Sequence, residues 1–490
     1  MSGICGLFNL DHSPVAESDV RAMSSMLAQR GPDRTNHWQL ESIGLAHTLL
    51  ATTTELQFER QPFTHAETGC VITSDVRLDN RDDLIKSLVP GRRPETIGDA
   101  ELILLAYLAW DEACLDRLLG DFAFAIWNPR KRKLFCGRDH FGMRPLYYHH
   151  APGKRFVFAS SARAILVLPQ VPYKLNEGRI ADVLVSQLQW IDYTSSFFEE
   201  VYRLPPGHKA VVSHTGLRIT EYWKPSPGPD PGPMSDDDYR ECFLEIFTRA
   251  VDARLRAPAG TVGSMLSGGM DSGSVVAVAK NLLSHRGEGP LPTYSAVSGQ
   301  YETSAPIGCA ESSAIYATIP SPLIRPSLIY PGSSEQDSKL MLSSYDEPFD
   351  TSYMFLRLLY RTASDQGVRT ILDGGGGDVV LNEGSYIARL IQRGKLKSAL
   401  AEIIAENRHF RGRAWSPSLI RYPAHVILPR TVKNFLRDIR NRNREKVFLD
   451  ESLISEDFAN RINLASRFER MRQTFPHARE PDFAVETVNI

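Results

Sequence analysis

The sequence predicts two domains of different class: a layered α+β domain over residues 1–220 and a parallel-sheet α/β domain over residues 239–490, joined by a linker at 221–238. Three observations carry this. Short β-branched or aromatic runs dominate the first half, and only two helical patterns interrupt them. The segment 222–238, YWKPSPGPDPGPMSDDD, holds five prolines and two glycines, which neither a helix nor a central strand tolerates. Beyond it, strand, glycine turn, helix and strand alternate, as in a parallel sheet.

In the first half GICGLFNL, GCVITSDVRL, FAFAIWN, KLFCGRD, PLYYHH, RFVFAS and HKAVVS read as strands, with helices at 18–29 and 99–120. After the linker, 236–256 opens with an acidic cap and sets Tyr239, Phe243, Phe247, Ala250 and Val251 on one helical stripe. TVGSML is a buried strand, SGGMDSGS a turn and VVAVAKNLL a helix. PTYSAVS is a second strand, and VRTILDGGGG ends a third. No internal repeat is present.

Composition excludes several classes. Of 490 residues, 42% are hydrophobic and 23% charged, close to globular averages and unlike disordered or collagen-like chains. Lys+Arg number 56 and Asp+Glu 58, a net charge of -2, so no global field draws nucleic acid or an acidic membrane. Cys5, Cys70, Cys114, Cys136, Cys242 and Cys309 form no C-x-x-C pair. Neither a zinc site nor a disulfide framework is expected, and a reducing cytoplasm is the expected location. MSGICGLFNLDHS lacks the features of a signal peptide, and no apolar run approaches a membrane span.

The strongest chemical signal is LSGGMDSGS at 266–274. A small-residue turn between a buried strand and a helix exposes amides that cradle phosphate oxygens. Gly268 and Gly269 allow close approach, Ser267 and Ser272 add hydroxyls, and Asp271 suits a magnesium ion. The G-K-[ST] ending of a Walker A loop is absent. The plain alternative is a Gly-Ser turn with Asp271 as a helix cap.

SGGMDS resembles the pyrophosphate loop of N-type ATP pyrophosphatases, and residues 1–390 resemble the asparagine synthetase family. The resemblance rests on GICGLF, QRGPD at 29–33, RLDNRDDL at 77–84, GDAELILLAY at 98–107, GDFAFAIW, RDHFGMRPLYY, RLPPGH, the loop, and LDGGGGD at 372–378. It implies an Ntn-hydrolase-like sandwich of antiparallel sheets, a type-2 glutamine amidotransferase relative, followed by an ATP-pyrophosphatase domain of the adenine nucleotide α-hydrolase type. Such proteins activate a carboxylate as its acyl-adenylate, release pyrophosphate, and let an amine attack. The resemblance places ATP on Leu266, Ser267, Gly268, Gly269, Met270, Asp271 and Ser272, with Val297 near the adenine and Asp373 and Gly374 facing the nucleotide. Asp271 and Asp378 match the two Mg2+ positions.

The departures from that pattern are informative. Glutaminase members carry Cys after the initiator Met, its amine as base and its thiol as nucleophile; here the residue is Ser2. Cys5 does not replace it, because the Gly3-Ile4-x-Gly6 frame fixes the register. The family's glutamine-clamping Arg falls on Leu49, and its Asn-Gly-Glu stretch falls on Asp75, Val76 and Arg77. Only the amine-binding acid is kept, as Asp99, which otherwise reads as a helix N-cap. Gly375 stands where asparagine synthetases have Glu and β-lactam synthetases Tyr. A base for amine attack then comes from Glu347 or Glu383, which otherwise read as a turn acid and a loop acid, or the amine arrives neutral. No counterpart of the family's pyrophosphate-binding lysine is found toward residue 490, so a C-terminally truncated member is expected. The basic run at 430–446 reads as a solvated helix face or a site for acidic peptide or phosphate.

The leading expectation is an ATP-dependent amide-forming ligase whose amine does not come from glutamine, as in β-lactam synthetases and lasso-peptide cyclases. Its substrate would be a small-molecule or peptide carboxylate, with a precursor peptide and a processing protease as partners. The alternatives are a glutamine-hydrolysing asparagine synthetase using Ser2 and a non-catalytic ATP-binding scaffold. The first domain is expected to pack on the second through an apolar interface.

Overall fold

A computed structural model of the chain describes residues 1–185, 188, 191–226, 228, 232, 234–296, 315, 321–329, 354–377, 386–411 and 454–474. Two antiparallel six-stranded sheets form the first half. One runs β10 (Tyr202–Arg203), β8 (Tyr147–Ala151), β9 (Arg155–Ala159), β1 (Gly3–Asn9), β3 (Ile43–Leu49), β2 (Arg34–Leu40). The other runs β12 (Gly216–Glu221), β11 (His208–Ser213), β7 (Lys133–Arg138), β6 (Gly120–Asn128), β5 (Val71–Leu78), β4 (Phe63–Thr64).

Side chains alternate across a strand, so FAFAIW serves two cores at once. Ala123, Ala125 and Trp127 join Ile4, Phe8 and Leu45 between the sheets. Phe122, Phe124 and Ile126 pack outward on Leu102 and Ile103 of α3 (Asp99–Trp110). Burial on both faces is why these strands are continuously apolar. The close packing needs glycine at position 6, where a Cβ would lie 2.5 Å from the Phe158 ring.

The helix expected over 99–120 stops at Trp110 and passes through a 3-10 segment, Asp111–Arg117, before β6 begins at Gly120. Gly120 has φ +141, and a Cβ there would meet the Arg77 carbonyl oxygen at 2.2 Å, so the chain turns where only glycine fits. α1 spans Glu17–Ser25. α2 (Arg81–Leu88), α4 (Ala162–Leu166), α5 (Glu177–Leu184), β2, β3 and β12 were not anticipated.

In the second half α6 (Asp236–Arg254) starts within the stretch read as linker, because Ser235 and Asp238 form a capping box. Only the second half of its expected apolar stripe packs. Phe247 and Val251 join a core, whereas Tyr239 and Phe243 are exposed. β13 (Val262–Met265), α7 (Met270–His285), β14 (Leu291–Ala296), β15 (Ile324–Ile329) and β16 (Thr370–Leu372) follow, with the parallel strand order β15-β14-β13-β16. Val276, Ala279 and Leu283 of α7 cover this sheet with Leu255, Leu291 and Ile324. The expected class is thus observed: an α+β sandwich of antiparallel sheets and a parallel α/β sheet.

The chain divides into two compact units. The larger comprises 1–176, 193–224 and 229–375, so it holds all three sheets; the smaller comprises 177–192, 225–228 and 376–490. In the smaller, Ala181, Val185 and Leu188 pack with Ile454, Leu464 and Phe468. Among the described residues no helix is long and apolar enough to cross a membrane.

Candidate functional site

The loop after β13 is held at its stem by both neighbouring strands. Leu266 N–H donates to the Tyr294 carbonyl at 3.0 Å, and Ser295 Oγ donates to the Leu266 carbonyl at 2.6 Å. Ser264 Oγ donates to the Leu372 carbonyl at 3.2 Å. Gly268 then takes φ +86, and Gly269 becomes the N-cap of α7 with no side chain capping it. The helix's first amides and the positive end of its dipole are left for an anion. Ser267 and Ser272 do not simply add two free hydroxyls. Their Oγ atoms lie 2.9 Å apart, and Ser267 N–H donates to Ser272 Oγ at 3.1 Å, closing the loop on itself. Asp271 sits in the first turn of α7 and is not its cap, which removes the plain alternative.

The end of β16 meets this loop. A Cβ on Gly374 would lie 2.5 Å from the Ser272 nitrogen and 2.8 Å from the Asp271 Cβ, so only glycine lets the two segments touch. Gly375 N–H donates to Asp373 Oδ1 at 3.0 Å. Residues 266–272 and 373–375 are therefore together, and a glycine-lined helix N-terminus beside an acid fits the phosphates of a nucleotide. Val297, Asp378, Glu347, Glu383 and the basic run at 430–446 lie outside the described residues. Of the Mg2+ pair only Asp271 is described, and among the described residues no group of three or more His, Cys, Asp or Glu is placed to hold a metal.

The second constellation is the counterpart of a glutamine pocket. Ser2 Oγ accepts from the Leu50 N–H at 3.1 Å. Leu49 is buried at the end of β3. Asp75, Val76 and Arg77 are β5 residues opposite Ala123, Phe122 and Asp121 of β6. Arg77 Nη2 donates to the carbonyls of Ala253, Arg254 and Arg256 at 3.0, 2.7 and 3.1 Å, a cation placed on the C-terminal end of α6.

Asp99 is neither a free amine-binding acid nor a helix cap, since Gly98 takes the N-cap position of α3. Its Oδ2 accepts from the Leu78 N–H at 2.9 Å and from Arg256 Nη2 at 2.8 Å, and its Oδ1 accepts from Arg81. Burial raises the Asp99 carboxyl, but Arg256, Arg81 and these hydrogen bonds outweigh it and hold it below the ordinary carboxylate value. A guanidinium of this chain occupies the acid that would hold a ligand's amine.

Among the described residues the sandwich and the parallel-sheet half are joined by ion pairs that pass through arginines. Arg254 reaches Asp79 and Asp121 at 2.9 Å, Arg256 reaches Glu55 at 3.1 Å, and Arg369 reaches Asp33 at 2.9 Å and the Ala51 carbonyl at 3.0 Å. Sequence reading missed these arginines, although Arg254-Leu255-Arg256 at the end of α6 and the Asp33 of QRGPD were in plain view.

Burial also raises Glu59, fully enclosed beside Asp99, to about 8, although its carboxylate accepts from the Ala100 N–H at 3.0 Å. A carboxyl whose folded value lies above its unfolded value near 4.5 stabilises below that unfolded value and loses the contribution as pH rises toward 8. Glu59→Gln is therefore expected to raise the melting temperature more at pH 8 than at pH 5. An equal change at both pH values contradicts the assignment.

A cavity of about 600 Å³ lies between these two constellations. It runs from Ser2 and Asp75, past Phe141 and Arg144, to Leu372 and Asp373.

Comparison with known proteins agrees with this arrangement. The model of the glutamine amidotransferase domain family matches residues 1–223, and that of the asparagine synthase family matches residues 243–479. The glutamine-hydrolysing asparagine synthetase 3 of Bacillus subtilis is 31% identical over 299 residues, covering 60% of this chain and 48% of the relative. A putative glutamine-hydrolysing asparagine synthetase 2 of Methanocaldococcus jannaschii is 26% identical over 416 residues, covering 80% of this chain and 76% of the relative. The match thus spans about half the length of the first of these relatives. Among solved structures, the B. subtilis glutamine phosphoribosylpyrophosphate amidotransferase aligns over 77% of this chain and 92% of its own at 12% identity, with a TM-score of 0.35. With the two family models matching one half each, in the order the two folds occur along the chain, this protein belongs to the asparagine synthetase family.

Proposed function

We propose that the chain is an ATP-dependent carbon–nitrogen ligase that activates a carboxylate as its acyl-adenylate with release of pyrophosphate, and that its amine does not come from glutamine. The observation that carries this reading is the pairing of a kept nucleotide loop with a closed amine site: Gly374 seated on Ser272, and Arg256 seated on Asp99. The loop amides and the N-terminus of α7 would bind and orient the triphosphate, with Asp271 helping to hold Mg2+. When bound, that ion neutralises charge on the leaving pyrophosphate. Gly375 carries no group able to move a proton, so the amine is deprotonated elsewhere or arrives neutral. The acceptor we favour is a small-molecule or peptide carboxylate closed onto an amine of the same molecule, as in lasso-peptide cyclases, with a precursor peptide and a processing protease as partners in the cytoplasm.

A second reading, glutamine-dependent asparagine synthesis, is favoured by the names of the relatives. It requires a nucleophile and an amine-binding acid that Ser2 and the saturated Asp99 do not offer. Glutamate release from glutamine is expected to stay at background, and Ser2→Cys is expected not to create it. Loss of a single oxyanion donor alone costs roughly 100–1000-fold. Turnover above background that disappears in Ser2→Ala overturns the reading.

A further inference from the structure

The two walls of the nucleotide site hang from neighbouring strands. β13 runs into residues 266–272, and β16 runs into 373–375. β16 is the weaker support. It has three residues and lies at the edge of its sheet, and among the described residues it pairs only with β13, as Val262↔Thr370, Gly263↔Ile371 and Ser264↔Leu372. A slip of one residue would turn its side chains over. It would also carry Gly374 away from the Ser272 nitrogen, which a Cβ there would approach to 2.5 Å.

The start of this strand is held from two sides. The N–H groups of Arg369 and Thr370 both donate to the Thr261 carbonyl, at 2.8 and 3.1 Å. The Arg369 side chain reaches the other way, into the sandwich. Its Nη2 donates to Asp33 Oδ1 at 2.9 Å, and its Nη1 donates to Asp33 Oδ2 and to the Ala51 carbonyl at 2.5 and 3.0 Å. Asp33 is itself fixed: its N–H donates to the Leu49 carbonyl at 3.0 Å, and its Oδ2 accepts from the Ala51 N–H at 2.8 Å. A partly exposed ion pair usually adds little to global stability. This one is a bidentate fork with a third acceptor, on a carboxylate already oriented, so it fixes geometry as well as charge.

We propose that Arg369 is a positioning residue for the nucleotide: by gripping Asp33 and Ala51 it fixes where β16 begins, and so seats Gly374 against the loop at 266–272. The proposal rests on the placement of the nucleotide on that loop. Five residues of extended chain span roughly 16 Å, so Arg369 acts through β16 and not on the phosphates. The sandwich thereby has a task that needs no glutamine. Its amine-binding acid is filled by Arg256, yet it supplies the anchor for one wall of the nucleotide site.

Hydrogen exchange and titration with magnesium–ATP, both on the full chain, test it with Arg369→Gln, Arg369→Lys and Asp33→Asn. Without nucleotide, Arg369→Gln is expected to speed exchange of the 370–375 amides by roughly 10-fold and to leave the strands of the sandwich unchanged. ATP is expected to bind it roughly 3–5-fold more weakly, the scale of a partly exposed ion pair. Arg369→Lys, which keeps the charge without the fork, is expected to recover part of that loss. Asp33→Asn is expected to weaken ATP by a similar factor, and the two changes together no more than either alone. A residue that adds only bulk stability lowers the melting temperature without producing this cycle. Asp33→Asn carries the test if Arg369→Gln fails to fold. Unchanged exchange at 370–375, or faster exchange there with unchanged ATP affinity, overturns the proposal and leaves the nucleotide site standing. An unaltered chain that does not bind ATP overturns the placement of the nucleotide, and the proposal with it.

Discussion

Gly374→Ala is expected to weaken ATP binding by roughly 10–100-fold while leaving the antiparallel sandwich folded. The added methyl would lie 2.5 Å from the Ser272 nitrogen and 2.8 Å from the Asp271 carbonyl carbon and Cβ. The nearest of these neighbours are backbone at the first turn of α7, so no flexible side chain can give way. Overpacking at such a contact costs about 1–3 kcal/mol, and a loop pushed off its stem loses that much of its alignment with a triphosphate. Nucleotide titration gives the affinity, and a thermal melt followed by tryptophan fluorescence shows whether the fold survives. An unchanged ATP affinity contradicts the placement of the nucleotide on 266–272 and 374.

The second large effect is on stability. Arg256→Ala leaves the buried Asp99 with one cation instead of two and strips Glu55 of its 3.1 Å contact. Removing one partner of a buried ion pair costs about 3–5 kcal/mol. Because the Arg256 side chain is 23% exposed, the lower end of that range applies, a fall in melting temperature of roughly 5–10 °C. The loss has a pH signature. Asp99 is held below its ordinary value, so its contribution is present above the unfolded carboxylate value near 3.9 and fades as pH falls through the folded value. The difference between Arg256→Ala and the unaltered chain is therefore expected to be full at pH 7 and to shrink below pH 4. Arg77→Met is expected to add less than its own single effect when combined with Arg256→Ala, because both arginines hold the segment around 253–256. Strict additivity contradicts a shared lock.

How much of this was legible follows from sequence distance. The runs FAFAIW and KLFCGR announce themselves because both faces of β6 and β7 are buried, and the glycine loop announces itself because its chemistry is local. β2 did not, since RTNHWQL is a half-exposed strand with no clean alternation. β15 did not, because Pro326 sits inside it, which marks against a central strand; it lies at the edge of its sheet. The ionic lock was invisible for another reason. Asp99 and Arg256 are 157 residues apart, and no periodicity links a carboxylate to a guanidinium at that range. The residue that reads as a surviving ligand acid, Asp99, is a structural anion, and only the folded chain shows the cation that holds it.

The measurement that bears most directly on the central claim is ATP–pyrophosphate exchange with candidate carboxylates, run with and without glutamine. The account predicts exchange that depends on magnesium and on one class of carboxylate and is unchanged by glutamine, with Gly374→Ala abolishing most of it. Exchange absent with every carboxylate, or an amide product that forms only when glutamine is present and is hydrolysed to glutamate, would contradict it.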